Sequence, residues 1–162
     1  MRRFLSLLIA GGLAVLGVVV ERPPGRTIQG PARIVDGDTL WIGQSKIRLR
    51  GIDAPELRQS CTIQRQSYAC GHAATEALRQ HLKGSSIACR ISGRDRYERL
   101  LARCLLDGDD IGAWLVRGGL AVSYGSDYER EESAARKRKV GLWAGSFERP
   151  GAWRQRNGPH GS

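Results

Sequence analysis

The residues that could carry chemistry lie close together between positions 36 and 56. Asp36 and Asp38 flank a glycine, and Asp53 and Glu56 follow a strand-like run that carries Arg48. Acidic side chains are the minority in this chain, with 16 against 26 lysines and arginines, so their concentration here needs a reason. A hard divalent cation such as calcium (Ca2+) binds carboxylate, carbonyl and water oxygens. Asp38 and Asp53 come from separate backbone segments and could therefore share one calcium ion.

The neighbours of these aspartates could complete such a site. Pro55 favours an extended conformation in the residue before it, which leaves the backbone carbonyl of Ala54 free to be a third ligand. Glu56 could reach a metal-bound water, and Asp36 could hold the ligands in place. A plainer interpretation makes residues 36–38 an ordinary turn and Glu56 a solvated surface acid, and spacing alone does not decide between the two.

Two arginines shift the balance towards phosphate chemistry. Arg48 precedes Asp53 by five residues on the same run, and Arg99 ends the polar turn "RDRYER". Phosphodiester hydrolysis needs cationic donors on the phosphate oxygens together with a metal ion and an activated water. The guanidinium group suits this role because it is planar, always charged and bidentate. Taken singly, either arginine could also be a surface charge.

The runs around these residues predict a small barrel. "RIVDGDTLWIG" places a turn between two β-prone segments, and "SKIRLRGID" alternates apolar and charged residues as a half-buried strand does. "SSIACRISG" and "RLLARCLLDG" are two further strand-like runs, whereas residues 57–70 predict a loop. Helices are expected over "GHAATEALRQHLKG", "DDIGAWLVRGG" and "SDYEREESAARKRKVG". Five strands and about three packed helices favour an α+β fold with a closed or partly open barrel.

The charge of the chain indicates a polyanionic partner. The formal net charge is +10 over 162 residues. Residues 1–20 contain two arginines and no acid, so the rest of the chain keeps 24 basic against 16 acidic side chains, a surplus of +8. Such a surplus attracts polyanions over about 8 Å at physiological salt. Nucleic acid is the first expected partner and an anionic membrane surface is the second, and no obligate protein partner is indicated.

The first 20 residues are typical of an export signal or a membrane anchor. Two arginines precede the uncharged, mostly apolar run 4–20, which is just long enough to cross a bilayer. No Ala-x-Ala cleavage site follows, and a cleaved signal and an uncleaved inner-membrane anchor both stay open. Residues 21–31 are rich in proline and glycine and predict a linker. The folded domain is expected over residues 32–150, followed by a disordered tail over residues 151–162.

Four cysteines support export to the periplasm or the extracellular space, because an even number in a small exported domain favours disulfides. Cys61 and Cys70 flank one short loop. Cys89 and Cys104 lie in the two strand-like runs on either side of the "GRDRYE" turn. If those runs pair antiparallel, these two cysteines can face each other, which predicts the disulfides Cys61–Cys70 and Cys89–Cys104. The alternative is that Cys89 and Cys104 are buried thiols.

The motifs "DGDT", "IRLRGIDAPE" and "DRYERLLARC", in this order, resemble the staphylococcal nuclease (thermonuclease) family, in its exported bacterial branch with cysteines. The resemblance covers about residues 32–144. It implies an OB-like five-stranded β-barrel with packed helices, and calcium-dependent hydrolysis of DNA and RNA phosphodiester bonds. By position, the matching calcium carboxylates are Asp38 and Asp53, and the matching phosphate-binding arginines are Arg48 and Arg99.

The resemblance also implies roles for other residues. Glu56 matches the glutamate usually assigned to activating water, and Tyr97 and Tyr124 fall where tyrosines line the nucleotide pocket. The family often has threonine in place of Ala54, and a backbone carbonyl ligand would survive that change. The family usually has glycine in place of Glu98, so a left-handed backbone there would cost energy in the turn carrying Arg99.

The sequence therefore predicts a calcium-dependent nuclease that acts on DNA, RNA or both outside the cytoplasm. The alternative is a non-catalytic OB-type module that binds nucleic acid by stacking and a basic groove. Such a module would keep its binding when calcium is chelated, and it would have no need for Asp38, Asp53 and Glu56 together.

Overall fold

Alternation of apolar and polar residues predicts strands. The computed structural model describes residues 25–158, and strands are present in this range. The strands are β1 (Thr27–Ile34), β2 (Thr39–Ile42), β3 (Ser45–Leu49), β4 (Ile52–Asp53), β5 (Cys61–Ile63), β6 (Gln66–Tyr68), β7 (Ser86–Arg94), β8 (Leu100–Leu106), β9 (Asp109–Asp110) and β10 (Val122–Ser123). The helices are α1 (Cys70–His81), α2 (Ile111–Arg117), α3 (Glu129–Arg138) and α4 (Pro150–Asn157), with a 3-10 turn at Gly141–Ala144. The signal or anchor predicted over residues 1–20 lies outside the described residues.

Five of these strands close into a barrel. β1 pairs antiparallel with β2 and β7, β2 pairs with β3, and β7 pairs with β8. A parallel pairing between β3 and β8 completes the ring, which removes the open sheet edges. The α+β fold with a five-stranded OB-like barrel is thereby confirmed, and it brings β2, β3 and the turn before β8 side by side.

The barrel is filled by the apolar side chains that alternate along its strands. Helices α1 and α2 cover this interior with their own apolar residues. Burial of each large aliphatic side chain contributes roughly 1.5–3 kcal/mol. The fully or almost fully buried residues of this core include Leu40, Ile47, Leu49, Ile87, Ala102, Leu78, Ile111, Leu115 and Val116.

The predicted helices form where their caps and dipoles favour them. Asp110 caps α2, because its Oδ1 accepts a hydrogen bond from the backbone N–H of Ala113 at 3.0 Å. Helix α3 carries glutamates in its first turn and arginines and a lysine in its last, an order that matches the helix dipole. In the part of the chain that the structure describes, no helix is long and apolar enough to cross a membrane.

The structure differs from the predicted linker and tail. Strand β1 begins at Thr27, inside the predicted linker 21–31, because residues 27–31 pair with residues 86–90 of β7. This backbone pairing outweighs the weak β-propensity of glycine and proline. Where a disordered tail was expected over 151–162, residues 150–157 form α4, the fourth α-helix of the described range. Pro150 is the first residue of α4. Proline fits this position because the N–H group that it lacks would have no partner within the helix.

The predicted loop over residues 57–70 contains a small hairpin, β5–β6. The tight turn of this hairpin places Gln64 and Arg65 at positive φ. A disulfide between Cys61 and Cys70 ties the hairpin to the start of α1. The hairpin is thereby fixed beside the loop that carries Glu56.

Both predicted disulfides are present. Cys89 and Cys104 are direct partners in the antiparallel β7–β8 ladder, with their Cα atoms 4.0 Å apart, and they are bonded. The second bond joins Cys61 and Cys70. The alternative of two buried thiols in the barrel strands is thereby excluded.

Candidate active site

Asp38 lies at the entrance to β2, where a tight turn holds it. Its backbone N–H donates to Oδ1 of Asp36 at 2.9 Å, and its carbonyl accepts from the N–H of Leu49 at 2.8 Å. The residue is only 5% exposed. The turn predicted from Asp36-Gly37 therefore aims a buried carboxylate into the space between β2, β3 and β4.

Arg48 joins the two predicted metal carboxylates. It stands opposite Thr39 in the β2–β3 ladder, and its guanidinium donates to Asp38 at 2.7 Å and to Asp53 at 3.0 Å. Asp53 ends the short strand β4, which is held in place by the pairing of Asp53 with Val122 of β10. Both carboxylates are buried, and both thus lie within reach of one cation.

The chain between Asp53 and α1 carries two further predicted site residues. The N–H of Ala54 donates to Oδ2 of Asp38 at 3.3 Å, which brings this backbone segment against the first carboxylate. The N–H of Glu56 donates to the side-chain carbonyl of the buried Gln59 at 3.2 Å. Glu56 is thus anchored through its backbone, while its side chain, 13% exposed, lies at the edge of the site.

Asp38 and Asp53 form an acidic pocket around the guanidinium of Arg48. Burial raises the pKa of Asp38 to about 7; Arg48 opposes this rise, and the negative charges of Asp36 and Asp53 add to it. Burial tends to lower the pKa of Arg48, but Asp38 and Asp53 outweigh that effect and raise it. A second cation would therefore be stabilised beside these carboxylates.

Arg99 approaches the same site from the turn before β8. The carboxylate of Asp95 accepts from the backbone N–H groups of Tyr97 and Arg99, and it binds the Nε of Arg99 at 2.7 Å. Another guanidinium nitrogen of Arg99 donates to Oγ1 of Thr39 at 3.3 Å, and that hydroxyl donates to Asp38 at 2.9 Å. The barrel thus places Arg99 beside the carboxylates, although its ion-pair partner is Asp95.

Glu98 adopts a left-handed backbone conformation, as expected for a position where the resembled family usually has glycine. Its φ is 61°, which is uncommon for a residue with a Cβ atom. Its side chain is 83% exposed and lies 3.8 Å from Arg94, while its carbonyl accepts from Arg94 at 2.8 Å. The turn therefore accommodates the glutamate in the left-handed conformation, and Arg99 is oriented towards Thr39.

Two exposed tyrosines flank this group of residues. Tyr97 is 63% exposed, and the guanidinium carbons of Arg96 and Arg99 lie 4.8 and 5.5 Å from the centre of its ring. Tyr124 is 69% exposed, and its N–H donates to the carbonyl of Gly51, just before β4. Exposed aromatic rings next to arginines are suitable platforms for nucleotide bases.

Sequence reasoning missed Arg154, which α4 brings onto the acidic residues. Its guanidinium donates to both oxygens of Asp53, at 2.9 and 3.1 Å, and to Oε1 of Glu56 at 2.6 Å. Burial tends to lower the pKa of Arg154, but Asp53 and Glu56 outweigh this and raise it. No local motif marks this arginine, because its partners lie about a hundred residues earlier in the chain.

The chain is similar to proteins named as nucleases and to a succinoglycan biosynthesis protein. The family model described as "Staphylococcal nuclease homologue" matches residues 46–145. The succinoglycan biosynthesis protein ExoI of Rhizobium meliloti (strain 1021) is 34% identical over 142 residues, which cover 83% of this chain and 74% of that protein. A protein of Escherichia coli O157:H7 named "Uncharacterized endonuclease" is 32% identical over 76% of this chain and 82% of its own length.

A plant relative extends the similarity. The probable staphylococcal-like nuclease CAN1 of Oryza sativa subsp. japonica is 32% identical over 75% of this chain and 37% of that protein. The family match includes Arg48, Asp53, Glu56 and Arg99, whereas Arg154 lies beyond its end. Because this match spans more than half of the sequence and a relative above 30% identity aligns with most of it, the chain belongs to the staphylococcal nuclease family.

Proposed function

We propose that this protein is a calcium-dependent nuclease that hydrolyses phosphodiester bonds of DNA, RNA or both outside the cytoplasm. Family membership supports the nuclease activity. The observation that carries the proposal is a chain of contacts in a protein of basic overall charge: Arg48 joins Asp38 to Asp53, and Arg154 joins Asp53 to Glu56. A nucleic-acid-binding barrel without catalysis would have no use for three acids next to a phosphate-binding surface.

The chemistry of these side chains fits a hard cation. Within residues 25–158, no three histidine, cysteine, aspartate or glutamate side chains are arranged as a metal-binding cluster. Asp38 and Asp53 nevertheless share one guanidinium, and the backbone of Ala54 lies against Asp38. The two carboxylates and the backbone carbonyl of Ala54 offer only oxygen ligands, and such a set suits calcium better than a softer metal. We assign Asp38, Asp53 and the carbonyl of Ala54 as calcium ligands, with Asp36 supporting Asp38.

Calcium, when bound, would supply positive charge that lets a phosphate approach these acids. Arg48 and Arg99 would donate to the oxygens of the scissile phosphate and stabilise the charge that grows there during attack. Arg48 is pre-positioned by the β2–β3 ladder, and Arg99 is oriented by Asp95. Glu56 would accept the proton of the attacking water, from a side chain held at the edge of the site.

Substrate recognition would use the basic surface and the exposed tyrosines. A net charge of +10 concentrates polyanions near the protein without reading their sequence. Tyr97 and Tyr124, at the two sides of the site, would stack on bases next to the phosphate that is cut. This arrangement favours substrates with unpaired bases, since a base inside a duplex offers no free face.

Localisation outside the cytoplasm is supported by the two disulfides, which persist in oxidising compartments. We propose that the protein is periplasmic or extracellular and that residues 4–20 direct export or anchor it to the inner membrane. Fractionation of cells with an antibody to the barrel would test this. Recovery of the protein in the cytoplasm with four free thiols would contradict the proposal.

A nuclease assay on DNA and RNA, with calcium or with a chelator, tests the proposed activity. Cleavage should require calcium, and Asp53→Asn should abolish it without loss of the fold, because asparagine keeps the shape but not the charge. Asp109→Asn, in the exposed part of β9, is the matched control and should cleave at the wild-type rate. Binding of nucleic acid without calcium-dependent cleavage would instead favour the non-catalytic OB-type module.

The arginines are tested by lysine replacement. Arg48→Lys and Arg99→Lys should each lose most of the turnover, since a lysine cannot give a bidentate contact to phosphate. The loss of one such donor elsewhere costs about 2.7–4 kcal/mol in the barrier. Arg90→Lys, on the exposed face of β7, is the control. A wild-type rate in Arg99→Lys would show that Arg99 does not contact the phosphate.

A further inference from the structure

Arg154 occupies the place where a cation would be expected to bind. Its guanidinium takes both oxygens of Asp53 and one oxygen of Glu56, at distances of 2.6–3.1 Å. Asp53 is buried, with a side chain only 5% exposed, so few other partners can reach it. Charge-assisted hydrogen bonds of this kind are the strong ones in proteins. The contact is therefore a specific part of the site and differs from an exposed ion pair at the surface.

The segment that carries Arg154 is held on the barrel by contacts that do not involve Arg154. Thr62 and Ser146 exchange two backbone hydrogen bonds, at 2.9 and 2.8 Å. Arg149, just before α4, donates to Glu132 of α3 at 2.9 Å. Helix α4 is thus fixed at its beginning, and the position of Arg154 follows from the docking of the whole segment.

Gln59 links this segment directly to Glu56. Its side-chain carbonyl accepts from the N–H of Glu56 at 3.2 Å, and its side-chain amide donates to the carbonyl of Glu148 at 2.7 Å. Gln59 is fully buried. The loop bearing Glu56 and the chain leading into α4 are therefore one connected unit, so Arg154 and Glu56 are kept within reach of each other.

Oδ1 of Asp53 accepts from both Arg48 and Arg154, which uses both of its lone pairs, so a metal ion could bind this oxygen only after one guanidinium has left. Arg48 already supplies one positive charge to Asp38 and Asp53, and Arg154 supplies a second to Asp53 and Glu56. A divalent cation at Asp53 would meet the positive charge of Arg154 and lose the lone pairs that Arg154 holds. The side chain of Arg154 is 38% exposed, so it can swing towards solvent while α4 stays docked.

We infer that Arg154 is a positioning residue of the nuclease site that holds Asp53 and Glu56 in the metal-free protein and must move aside for calcium to bind. This inference rests on the proposed function, because it assumes that the carboxylates are metal ligands. The protein therefore binds calcium more weakly than its carboxylates alone would, and its metal-free form is stabilised by the arginine. Cleavage then begins only above a calcium concentration that Arg154 sets.

Calcium titration by calorimetry tests this inference on the folded, disulfide-bonded protein. Arg154→Gln should bind calcium at least about tenfold more tightly than the wild type, a gain of about 1.4 kcal/mol. Without calcium, the same variant should melt at a lower temperature, and calcium should raise its Tm by more than it raises that of the wild type. Arg154→Lys keeps the charge and should fall between the two.

Arg156→Gln is the matched control. Arg156 lies on the same helix and pairs with Glu148, away from the carboxylates of the site, so its loss removes one ion pair from α4 without freeing Asp53. Its calcium affinity should equal that of the wild type. Far-UV circular dichroism of each variant checks that the fold is kept, and Arg154→Lys serves where the glutamine variant does not fold.

The outcomes separate this inference from the proposed nuclease function. Equal or weaker calcium binding by Arg154→Gln, in a wild-type protein that still cleaves DNA with calcium, would overturn the role of Arg154 and leave the nuclease assignment intact. Absence of calcium binding in every variant, together with absence of cleavage, would overturn both. Tighter binding by Arg154→Gln but not by Arg156→Gln would support the inference.

Discussion

Replacing Glu98 by glycine is expected to stabilise the turn that leads into Arg99. The backbone of Glu98 has φ 61°, a conformation in which the Cβ atom of an L-residue crowds the following carbonyl. The hydrogen bonds of the turn, including that from Arg94 to the carbonyl of residue 98, involve only backbone atoms of this position. Glycine can keep all of them.

The size of the effect follows from two opposing contributions. A left-handed conformation costs an L-residue roughly 1–2 kcal/mol, whereas glycine loses about 0.5–1 kcal/mol more backbone entropy on folding. The ion pair that Glu98 makes with Arg94 is 3.8 Å long between exposed groups and contributes little. Glu98→Gly should therefore raise the free energy of unfolding by roughly 0.5–1 kcal/mol, which is about 1–4 °C in Tm for a domain of this size.

Chemical and thermal unfolding measure this change, with Glu98→Ala as the matched control. Alanine removes the carboxylate but keeps the Cβ atom, so its Tm should stay near that of the wild type. Equal stabilisation by alanine and glycine would refute the backbone argument and point to the charge of Glu98 instead. A lower Tm for Glu98→Gly would refute it as well, since the entropy cost of glycine would then exceed the relief of strain.

Three further predictions concern the site, the disulfide and the substrate. In the presence of a chelator, the contribution of Asp38 to stability should fall as the pH rises from about 4 to about 7, because the folded state keeps a proton on Asp38 that the unfolded state has lost; the stability of the wild type relative to Asp38→Asn should therefore decrease over this range in denaturant unfolding, and a constant difference would contradict it. Replacing Cys61 and Cys70 by serine should lower the free energy of unfolding by about 2–3 kcal/mol, the value for so short a loop, and an unchanged urea midpoint would show that the bond adds nothing. The logarithm of the affinity for single-stranded DNA should fall steeply with that of the salt concentration, by about 0.7 for each phosphate contacted, and a flat salt dependence would mean that net charge does not recruit the substrate.

The barrel could be predicted from the sequence because its signals are local. Alternation in "SKIRLRGID" identified β3, and the turn residues at 36 and 37 separated β1 from β2. Cys89 and Cys104 could be predicted to lie opposite each other because their two runs are joined by one short turn and pair antiparallel. The start of β1 could not be predicted in the same way, since the pairing of Thr27 with Arg90 depends on a strand sixty residues later.

The same distinction applies to the site. Asp38, Arg48 and Asp53 lie within sixteen residues of the chain, just before β2, on β3 and on β4, so the β2–β3 turn alone nearly brings them together. Arg154 meets Asp53 through long-range contacts: the pairing of β5 with Ser146 and the bond from Gln59 to Glu148 hold the segment before α4 on the barrel. Its sequence surroundings, "GAWRQRNGPHGS", have the composition of a solvated tail, and composition does not report which arginine will find a buried carboxylate.

The charges of the described site explain why such an arginine is stable there. Asp38, Asp53 and Glu56 bring three acidic groups together, and Arg48 is the cation that β3 provides for them. Arg48 contacts Asp38 and Asp53 but supplies only one positive charge, and buried charges that are not balanced are costly, so a second cation next to Asp53 and Glu56 stabilises the metal-free protein. Arg154 supplies this cation through three hydrogen bonds. Its side chain remains partly exposed, so it can move into solvent when a metal ion binds. A stable metal-free fold and a site that can accept a divalent ion are therefore compatible in one chain.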